Sequence, residues 1–560
     1  MTATQEATAT PAESTWRSRA PALTLALILL GAAALRVWSI GHGLPYAYNL
    51  DERAHFVPHA VEMTGGDLNP GYFINPPLLT YMLAAYFSVI HLGGVEQWFA
   101  DDAGGVFLAA RWLSVAFGVA AVAATYFAGR AWFGRRAGLV AAAIMAVAFM
   151  PVFYSRLSLN DGPGVLPCAL ALWASAIVLR TGSRRALLAG GVCVGLAASF
   201  KYSDGAVAIA LAAAAFASPH LTFRRALGGL VLAGAIALAA VVITNPYLIA
   251  DWSTFIHDLD RQRKFASGRP LIGQPERNGW FYYVASMRWA LGIVPCLLAL
   301  AGGIVLLVKG RRREAIVLGA FVVLYWLYMG SQSRFYMRWM LPLFPALAIL
   351  AGYACAQVRQ RVVFAVLVAL ALVPAAIPTI RNAIVLGRED TRTQTREWLI
   401  AHVPAGTKVV FEPIAPREWY GVTPGGGAKA DQRDVWDRFH RNAAMIARLE
   451  RRYRGAGVSA DFQSYERTLL PAMIDIYRRG GYCWVVTGST QYGRGQAEPD
   501  RVPKAMRYYR ALRRQADVMF RTTPADPMPR YQVDRSFNYV DAAYHRPGPE
   551  MIVYRLKNCS

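Results

Sequence analysis

Two adjacent carboxylates, Asp51 and Glu52, stand in the stretch Asn49-Leu50-Asp51-Glu52, just beyond a long apolar block. Such a pair beside apolar surface is costly unless it is solvated, paired or used. Two uses fit it. Asp51 acts as a general base that takes the proton of an acceptor hydroxyl, or it caps a helix while Glu52 favours the helix dipole. A further carboxylate, Asp161, lies in the turn Ser155-Arg156-Leu157-Ser158-Leu159-Asn160-Asp161-Gly162-Pro163. Lysine occurs only at 201, 264, 309, 408, 429, 504 and 557, so Lys201-Tyr202 at the end of an apolar block stands out. An ammonium there either meets a phosphate at the membrane surface or snorkels to water. Arg334 and Arg338 precede Met340-Leu341-Pro342 and offer the forked geometry that suits phosphate. His55 and His59 have helical i, i+4 spacing, but no third ligand motif follows, so interfacial hydrogen bonding is their expected use.

The elements that must position these residues are apolar. Of 560 residues, 55% are hydrophobic and the mean hydropathy is +0.28, which a soluble surface of this size does not tolerate. The apolar residues form blocks such as 21–35, 138–150, 226–244 and 362–377. Blocks near 20 residues match a hydrocarbon core about 30 Å thick. Eleven spans are expected, at 21–40, 106–132, 137–154, 164–180, 186–201, 204–218, 225–245, 284–308, 314–331, 336–356 and 362–380.

The net charge of +24 does not indicate nucleic acid, because the basic residues cluster between apolar blocks and no base-stacking motif accompanies them. Arg17/Arg19, Arg135/Arg136, Arg184/Arg185, Arg224/Arg225, 311–313 and Arg359/Arg361 follow every second span boundary, and the positive-inside rule puts them in the cytoplasm. This requires that 77–92, which begins with a proline pair and carries His91, lie in the interface as an outer helix. The expected architecture is thus an α-helical polytopic membrane protein. A disordered cytoplasmic tail (1–20) leads to a transmembrane part (21–381) with an outer loop at 41–105, and an extracytoplasmic α/β domain follows at 382–560. That domain is expected to hold helices near 391–402 and 431–453 and strands at Lys408–Phe411, 483–487 and Met551–Leu556. The glycine-rich 424–427 reads as a flexible link. Cys168, Cys193, Cys296 and Cys355 fall in apolar blocks, whereas Cys483 and Cys559 can pair if the last third faces an oxidising space.

After Asp51-Glu52 the sequence continues with His55-Phe56, Gly66-Asp67-Leu68-Asn69-Pro70, Phe73 and Asn75-Pro76-Pro77-Leu78. Together with the Arg156…Asp161 turn, this order resembles the membrane-embedded GT-C glycosyltransferases typified by dolichyl-phosphate-mannose–protein mannosyltransferases and lipid A aminoarabinose transferases. The resemblance covers about residues 30–380. It implies an inverting single displacement, in which an acceptor hydroxyl attacks the anomeric carbon and a polyprenyl phosphate leaves. The reaction needs a base and cations around an oxocarbenium-like transition state.

On that resemblance Asp51 is the base and Glu52 orients it or meets sugar or acceptor hydroxyls. Asp161 and Arg156 position sugar or phosphate, and a basic residue at Arg334 or Arg338 lies near the lipid phosphate. Asn75 departs from the family, whose members carry Lys or His before Pro-Pro-Leu, so either the phosphate contact shifts elsewhere or the donor sits differently. No metal or other cofactor is expected; the alternative is a divalent cation shared by Asp51 and Asp161. The implied partners are a polyprenyl-phosphate sugar donor, a protein, glycan or lipid acceptor, and membrane lipids.

A transporter or lipid flippase is the main rival. It calls for ionisable residues deep inside spans, broken helices and internal repeats. Here the ionisable residues are read at span ends and no repeat is seen. A membrane scaffold, or a phosphotransferase or glycan polymerase, are further alternatives. The preference for Arg over Lys and the abundant alanine suggest a GC-rich bacterial genome, hence a bacterial plasma membrane and a role in the cell envelope.

Overall fold

In the computed structural model the described residues are 11–268, 270–274, 276–420, 435–439 and 469–560. Each apolar segment read as a span is helical. Among the described residues six helices are long and apolar enough to cross a membrane: Ala103–Phe133, Phe223–Thr244, Gly279–Val308, Arg312–Gly330, Met337–Ala356 and Arg361–His402. The count rises to seven if the bent pair Leu78–Ile90 and Val95–Asp101 is one span. The remaining segments fall short of eleven full crossings on this measure for two physical reasons. Val165–Thr181 and Arg184–Phe200 have 17 residues each, about 25 Å of helix against a core of about 30 Å. Arg135–Val147 is separated from Phe149–Tyr154 by Ala148, whose backbone is extended.

Residues 11–20, expected in a disordered tail, are instead the first turns of the helix Pro11–Val37. Proline at the first position of a helix loses no hydrogen bond, because that N–H has no intrahelical partner anyway. The segment expected as an interfacial helix becomes Leu78–Ile90, which turns through 89° into Val95–Asp101. Gly93 and Gly94 take positive φ values of 101° and 67° at that corner. Close helix packing relies on small residues: a Cβ on Gly191 or Gly195 would meet the backbone carbonyls of Ala233 and Ala237 on the neighbouring helix.

Two of the expected spans carry a buried arginine inside them, Arg36 and Arg111, and Arg156 is buried in the turn that follows a third. Arg36, Arg111 and Arg156 are each 1% exposed. Arg36 donates to the carbonyls of Ala32, Met145 and Ala146 and to Ser155 Oγ. These guanidinium groups are consumed by helix-end carbonyls and carboxylates, which satisfies them without a transport pathway.

The C-terminal part carries a five-stranded sheet in the order β2-β1-β3-β5-β4, with β1 Lys408–Phe411, β2 Asp437–Arg438, β3 Trp484–Gly488, β4 Ala516–Thr522 and β5 Met551–Leu556. β1 runs parallel to β2 and β3, while β5 is antiparallel to β3 and β4. The alternation of its strands splits two cores. Val410, Val485, Ile552 and Tyr554 pack against helices Ala472–Arg479 and Pro503–Gln515. Val409, Phe411, Val486 and Val553 pack with Leu399 of the helix Thr391–His402. Cys483 and Cys559 form a disulfide with their Cα atoms 5.5 Å apart, across the adjacent strands β3 and β5. The helix expected near 431–453 lies outside the described residues except for 435–439, which hold β2, and the 424–427 link lies outside them entirely.

Candidate active site

The first outer loop re-enters helix through a π-helical turn, Glu52–Phe56, that runs into Val57–Met63. Asn49 caps it: its Oδ1 accepts from the amides of Asp51 and Glu52 at 3.1 and 3.2 Å. The capping role considered for Asp51 is therefore taken by Asn49, and the Asp51 carboxylate makes no cap bond.

The Asp51 carboxylate meets Arg338 instead. Arg338 Nη1 donates to Asp51 Oδ2 at 2.7 Å, and the same nitrogen stands 3.9 Å from Asp161 Oδ2. Lys201 Nζ donates to Asp161 Oδ1 at 2.5 Å. Two carboxylates and two cations from four separate stretches thus alternate in one cluster. Side-chain exposure falls from 36% at Asp51 to 21% at Arg338, 14% at Lys201 and 5% at Asp161. Asp51 is the member most open to an incoming group. Burial pushes its carboxyl up, but the charge and hydrogen bond of Arg338, with His55 and Lys201 behind, outweigh burial and hold it below the usual carboxylate range.

Glu52 does not face an incoming sugar. It is fully buried, accepts Arg111 Nε and Nη2 at 2.8 Å each, and accepts the amide of Ser158 at 2.9 Å. Arg111 also donates to the carbonyls of Ile40 and His42. Glu52 therefore fastens the loop carrying Asp51 to the turn carrying Asp161, and both of its carboxylate oxygens are engaged in doing so. Arg156 is likewise engaged within the protein: it donates to the carbonyl of Leu35 at 2.6 and 3.2 Å and to Asn382 Oδ1 at 3.3 Å. The guanidinium thereby answers a carbonyl in the last turn of the first helix, which has no intrahelical partner, and the side-chain amide of Asn382 in the helix Arg361–Leu386.

The other expected residues brace the loop. Tyr202 donates to the carbonyl of Phe73 at 2.9 Å, Asn75 donates to Tyr72 Oη at 2.8 Å, and Asn160 donates to Asn75 Oδ1 at 3.2 Å. His55 stacks on Tyr72 with ring centroids 4.6 Å apart, and burial lowers its pKa, so it is neutral at pH 7. Arg334 packs over the Phe265 ring at 4.2 Å.

Three residues escaped the sequence reading. Arg111 was visible as a charge inside an apolar span. Asp204 follows Lys201 by three residues, is 1% exposed, and its Oδ2 has no hydrogen-bond partner. Asp534, from the C-terminal part, accepts the amide of Met337 at 2.6 Å and the hydroxyl of Tyr282, and so fixes the turn that carries Arg338. Nothing local in the sequence marks Asp534. Among the described residues no group of three or more His, Cys, Asp or Glu side chains is placed to hold a metal ion. Asp51 and Asp161, the pair considered for one, have Arg338 between them.

Comparison with known proteins adds the fold and the kinship. The family model described as dolichyl-phosphate-mannose-protein mannosyltransferase matches residues 75–246, a stretch that includes Asp161 and Lys201 but not Asp51 or Arg338. An undecaprenyl phosphate-alpha-4-amino-4-deoxy-L-arabinose arabinosyl transferase of Pseudomonas aeruginosa is 28% identical over 345 residues. That alignment covers 58% of this chain and 60% of the relative's length. The crystal structure of an Archaeoglobus fulgidus oligosaccharyltransferase superposes with a TM-score of 0.54 at 13% identity, covering 91% of this chain and 74% of that one. The chain resembles membrane-embedded GT-C glycosyltransferases. A second structure of the archaeal enzyme, in complex with an inhibitory peptide and a dolichol-phosphate, gives a TM-score of 0.51. The GT-C likeness thus extends over the bundle and the C-terminal sheet together, whereas the sequence match is confined to part of the chain.

Proposed function

We propose that the chain is an inverting glycosyltransferase that moves a sugar from a polyprenyl-phosphate donor to an acceptor hydroxyl, with Asp51 as the general base. The observation that carries this reading is one guanidinium nitrogen, on Arg338, that reaches carboxylates from two different turns while Lys201 holds the second of them.

The cluster supplies both halves of the chemistry. Asp51 takes the proton of the acceptor hydroxyl as its oxygen bonds to the anomeric carbon. The carbon–oxygen bond to phosphate breaks, and the electron pair leaves with the polyprenyl phosphate. Arg338 and Lys201 neutralise that departing phosphate. In the resting arrangement Arg338 holds Asp51 as a weak base. A donor phosphate competes for the same guanidinium, and its arrival frees the carboxylate and raises its basicity at the moment it is needed. Asp161 keeps Lys201 in place. The chemistry is metal-free on this reading, because two cations already occupy the space that a metal shared by Asp51 and Asp161 would need.

The same reading gives eleven crossings, a cytoplasmic N-terminus and an extracytoplasmic C-terminal part in a bacterial plasma membrane. The one-sided basic clusters support it, and the Cys483–Cys559 disulfide fits an oxidising space. Whether a hexose or a pentose is moved depends on the donor. The test is purified protein in liposomes with a panel of polyprenyl-phosphate sugars, scored by release of polyprenyl phosphate. Wild type releases it from at least one donor and Asp51→Asn does not. Absence of release from every donor would count against the enzyme reading.

A further inference from the structure

The end of the bundle remote from Asp51 carries charge that nothing answers. Arg111, which fastens Glu52, and Trp132 lie on one helix, Ala103–Phe133. The rise from one to the other is about 30 Å, a full hydrocarbon core. Trp132 thus marks the opposite membrane face. Five turns gather there: 130–136, 180–186, 217–226, 308–314 and 356–361. Arg180 donates to the Trp132 carbonyl, Lys309 donates to Gln357, and Gly182 lies against His220, which ties the turns together. They hold fourteen Lys or Arg side chains and a single carboxylate, Glu314.

One-sided charge follows from the positive-inside rule and by itself names no ligand. Two further observations do. The first is convergence. The Trp132 carbonyl, in the last turn of its helix, accepts Arg180 Nη2 at 2.6 Å and Arg311 Nη2 at 3.5 Å. One cation is enough to satisfy a helix-end carbonyl; here two from different hairpins meet at it. Glu314 answers Arg311, accepting its Nε and Nη2 at 2.9 and 2.6 Å. Among the described residues Arg180 has no carboxylate partner, nor have Arg130, Arg135 and Arg136 on either side of Trp132; Arg136 lies over the Phe364 ring at 4.2 Å. Like charges gathered at the edge of a low-dielectric region repel unless an anion joins them.

The second observation is what lies beneath those arginines. Phe127 and Trp173 stand on the same two helices, Ala103–Phe133 and Val165–Thr181. Their rings stack with centroids 5.5 Å apart, and both face outward from the bundle, 39% and 36% exposed. Trp173 comes about two turns before Arg180 and Phe127 about one turn before Arg130, spacings that keep each pair on one face of its helix. A free phosphate has no use for such rings. An anionic phospholipid does, since its phosphate takes the guanidinium forks while its acyl chain lies along the rings.

We propose that the bundle end opposite Asp51 is a binding site for one anionic phospholipid, with its phosphate on Arg130 and Arg180 and a chain along Phe127 and Trp173. The site does not depend on the transferase reading. Native mass spectrometry of the full-length chain in detergent tests it, with phosphatidylglycerol and phosphatidylcholine of the same acyl chains as probes. Wild type should bind its first phosphatidylglycerol about tenfold more tightly than phosphatidylcholine. Arg130→Gln/Arg180→Gln should lose about thirtyfold in affinity for that phosphatidylglycerol. Arg130→Gln alone, which breaks no side-chain bond among the described residues, should lose about fivefold, so the test survives a double variant that fails to fold.

The control is Arg224→Gln/Arg225→Gln, at the start of the helix Phe223–Thr244, which removes the same charge from another turn at the same end. It should keep the wild-type affinity. Equal weakening by the two double variants overturns the proposal, because net charge alone then draws lipid to this face; so does unchanged affinity in both. Millimolar inorganic phosphate should leave the bound phosphatidylglycerol in place. Its displacement by phosphate would reject the lipid as the occupant and leave a site for the free anion.

Discussion

Arg338 donates to Asp51 across 2.7 Å although the two residues are 287 positions apart in the chain. The first outer loop and a turn near the end of the bundle are thereby joined at the spot where the base is expected. This pairing explains how a carboxylate beside apolar surface stays charged, because a guanidinium group stands next to it.

Removing the base is the first consequence to measure. Asp51→Asn keeps the Asn49 cap and the size of the side chain but gives up the charge that pairs with Arg338, so the protein should stay folded with only a modest drop in unfolding temperature at neutral pH. Polyprenyl-phosphate release should fall by about 10²–10⁴-fold. Full activity in that variant would exclude Asp51 as the base.

Arg338 should govern the acid limb of the pH profile. Because Arg338 holds the Asp51 carboxyl below its ordinary range, kcat/KM in wild type should stay high to unusually low pH, falling only as the depressed group is protonated. In Arg338→Gln that fall should move to higher pH, and the KM for the donor should rise. An acid limb that does not move would break the link between the pair and the titration.

The same depressed group affects stability with a definite sign. Its stabilising contribution is present above the pKa of the unfolded chain and is lost as pH falls through the folded value. Thermal unfolding followed between neutral and acid pH should show that loss in wild type and a smaller one in Asp51→Asn.

Glu52 predicts the opposite pattern from Asp51. Glu52→Gln leaves Arg111 buried with a neutral partner, at a cost of about 3–5 kcal/mol. The unfolding temperature should drop sharply, and the double variant Glu52→Gln/Arg111→Met should recover part of it. Glu52→Gln with undiminished stability would show that the Arg111 pair is not what fastens the two turns.

Reduction of the Cys483–Cys559 bridge, or Cys483→Ser, should lower the stability of the C-terminal part by about 2–5 kcal/mol. Limited proteolysis with and without reductant, followed by mass spectrometry of the released fragments, reads this directly. An identical cleavage pattern would mean that the strands hold without it.

Much of the site was legible because chemistry concentrates in rare residues. Asp51, Asp161 and Lys201 are polar groups at the ends of apolar blocks, and the structure brings all three into one cluster with Arg338. Strand β1 and β5 were also readable, since short apolar runs between turn residues leave few alternatives. The contacts of Arg156 were not legible, because an arginine in a functional-looking turn and an arginine closing a helix end have the same spelling; only the position of the Leu35 carbonyl shows the bond it makes. The helix beginning at Pro11 was missed because Thr, Ala and Glu fit tail and helix alike. Asp534 was out of reach, because its role exists only once the C-terminal part is docked against the bundle.

That docking has a practical side for anyone recombining such enzymes. The Met337 amide, one residue before Arg338, is held by Asp534, a side chain of the C-terminal part. A chimera that grafts a foreign C-terminal module onto this bundle would inherit a new lid and also a new anchor point for its own catalytic turn. Swaps that conserve an acidic group at that spot should transplant acceptor preference cleanly, whereas swaps that omit it should fail at the donor step, far from the part that was exchanged.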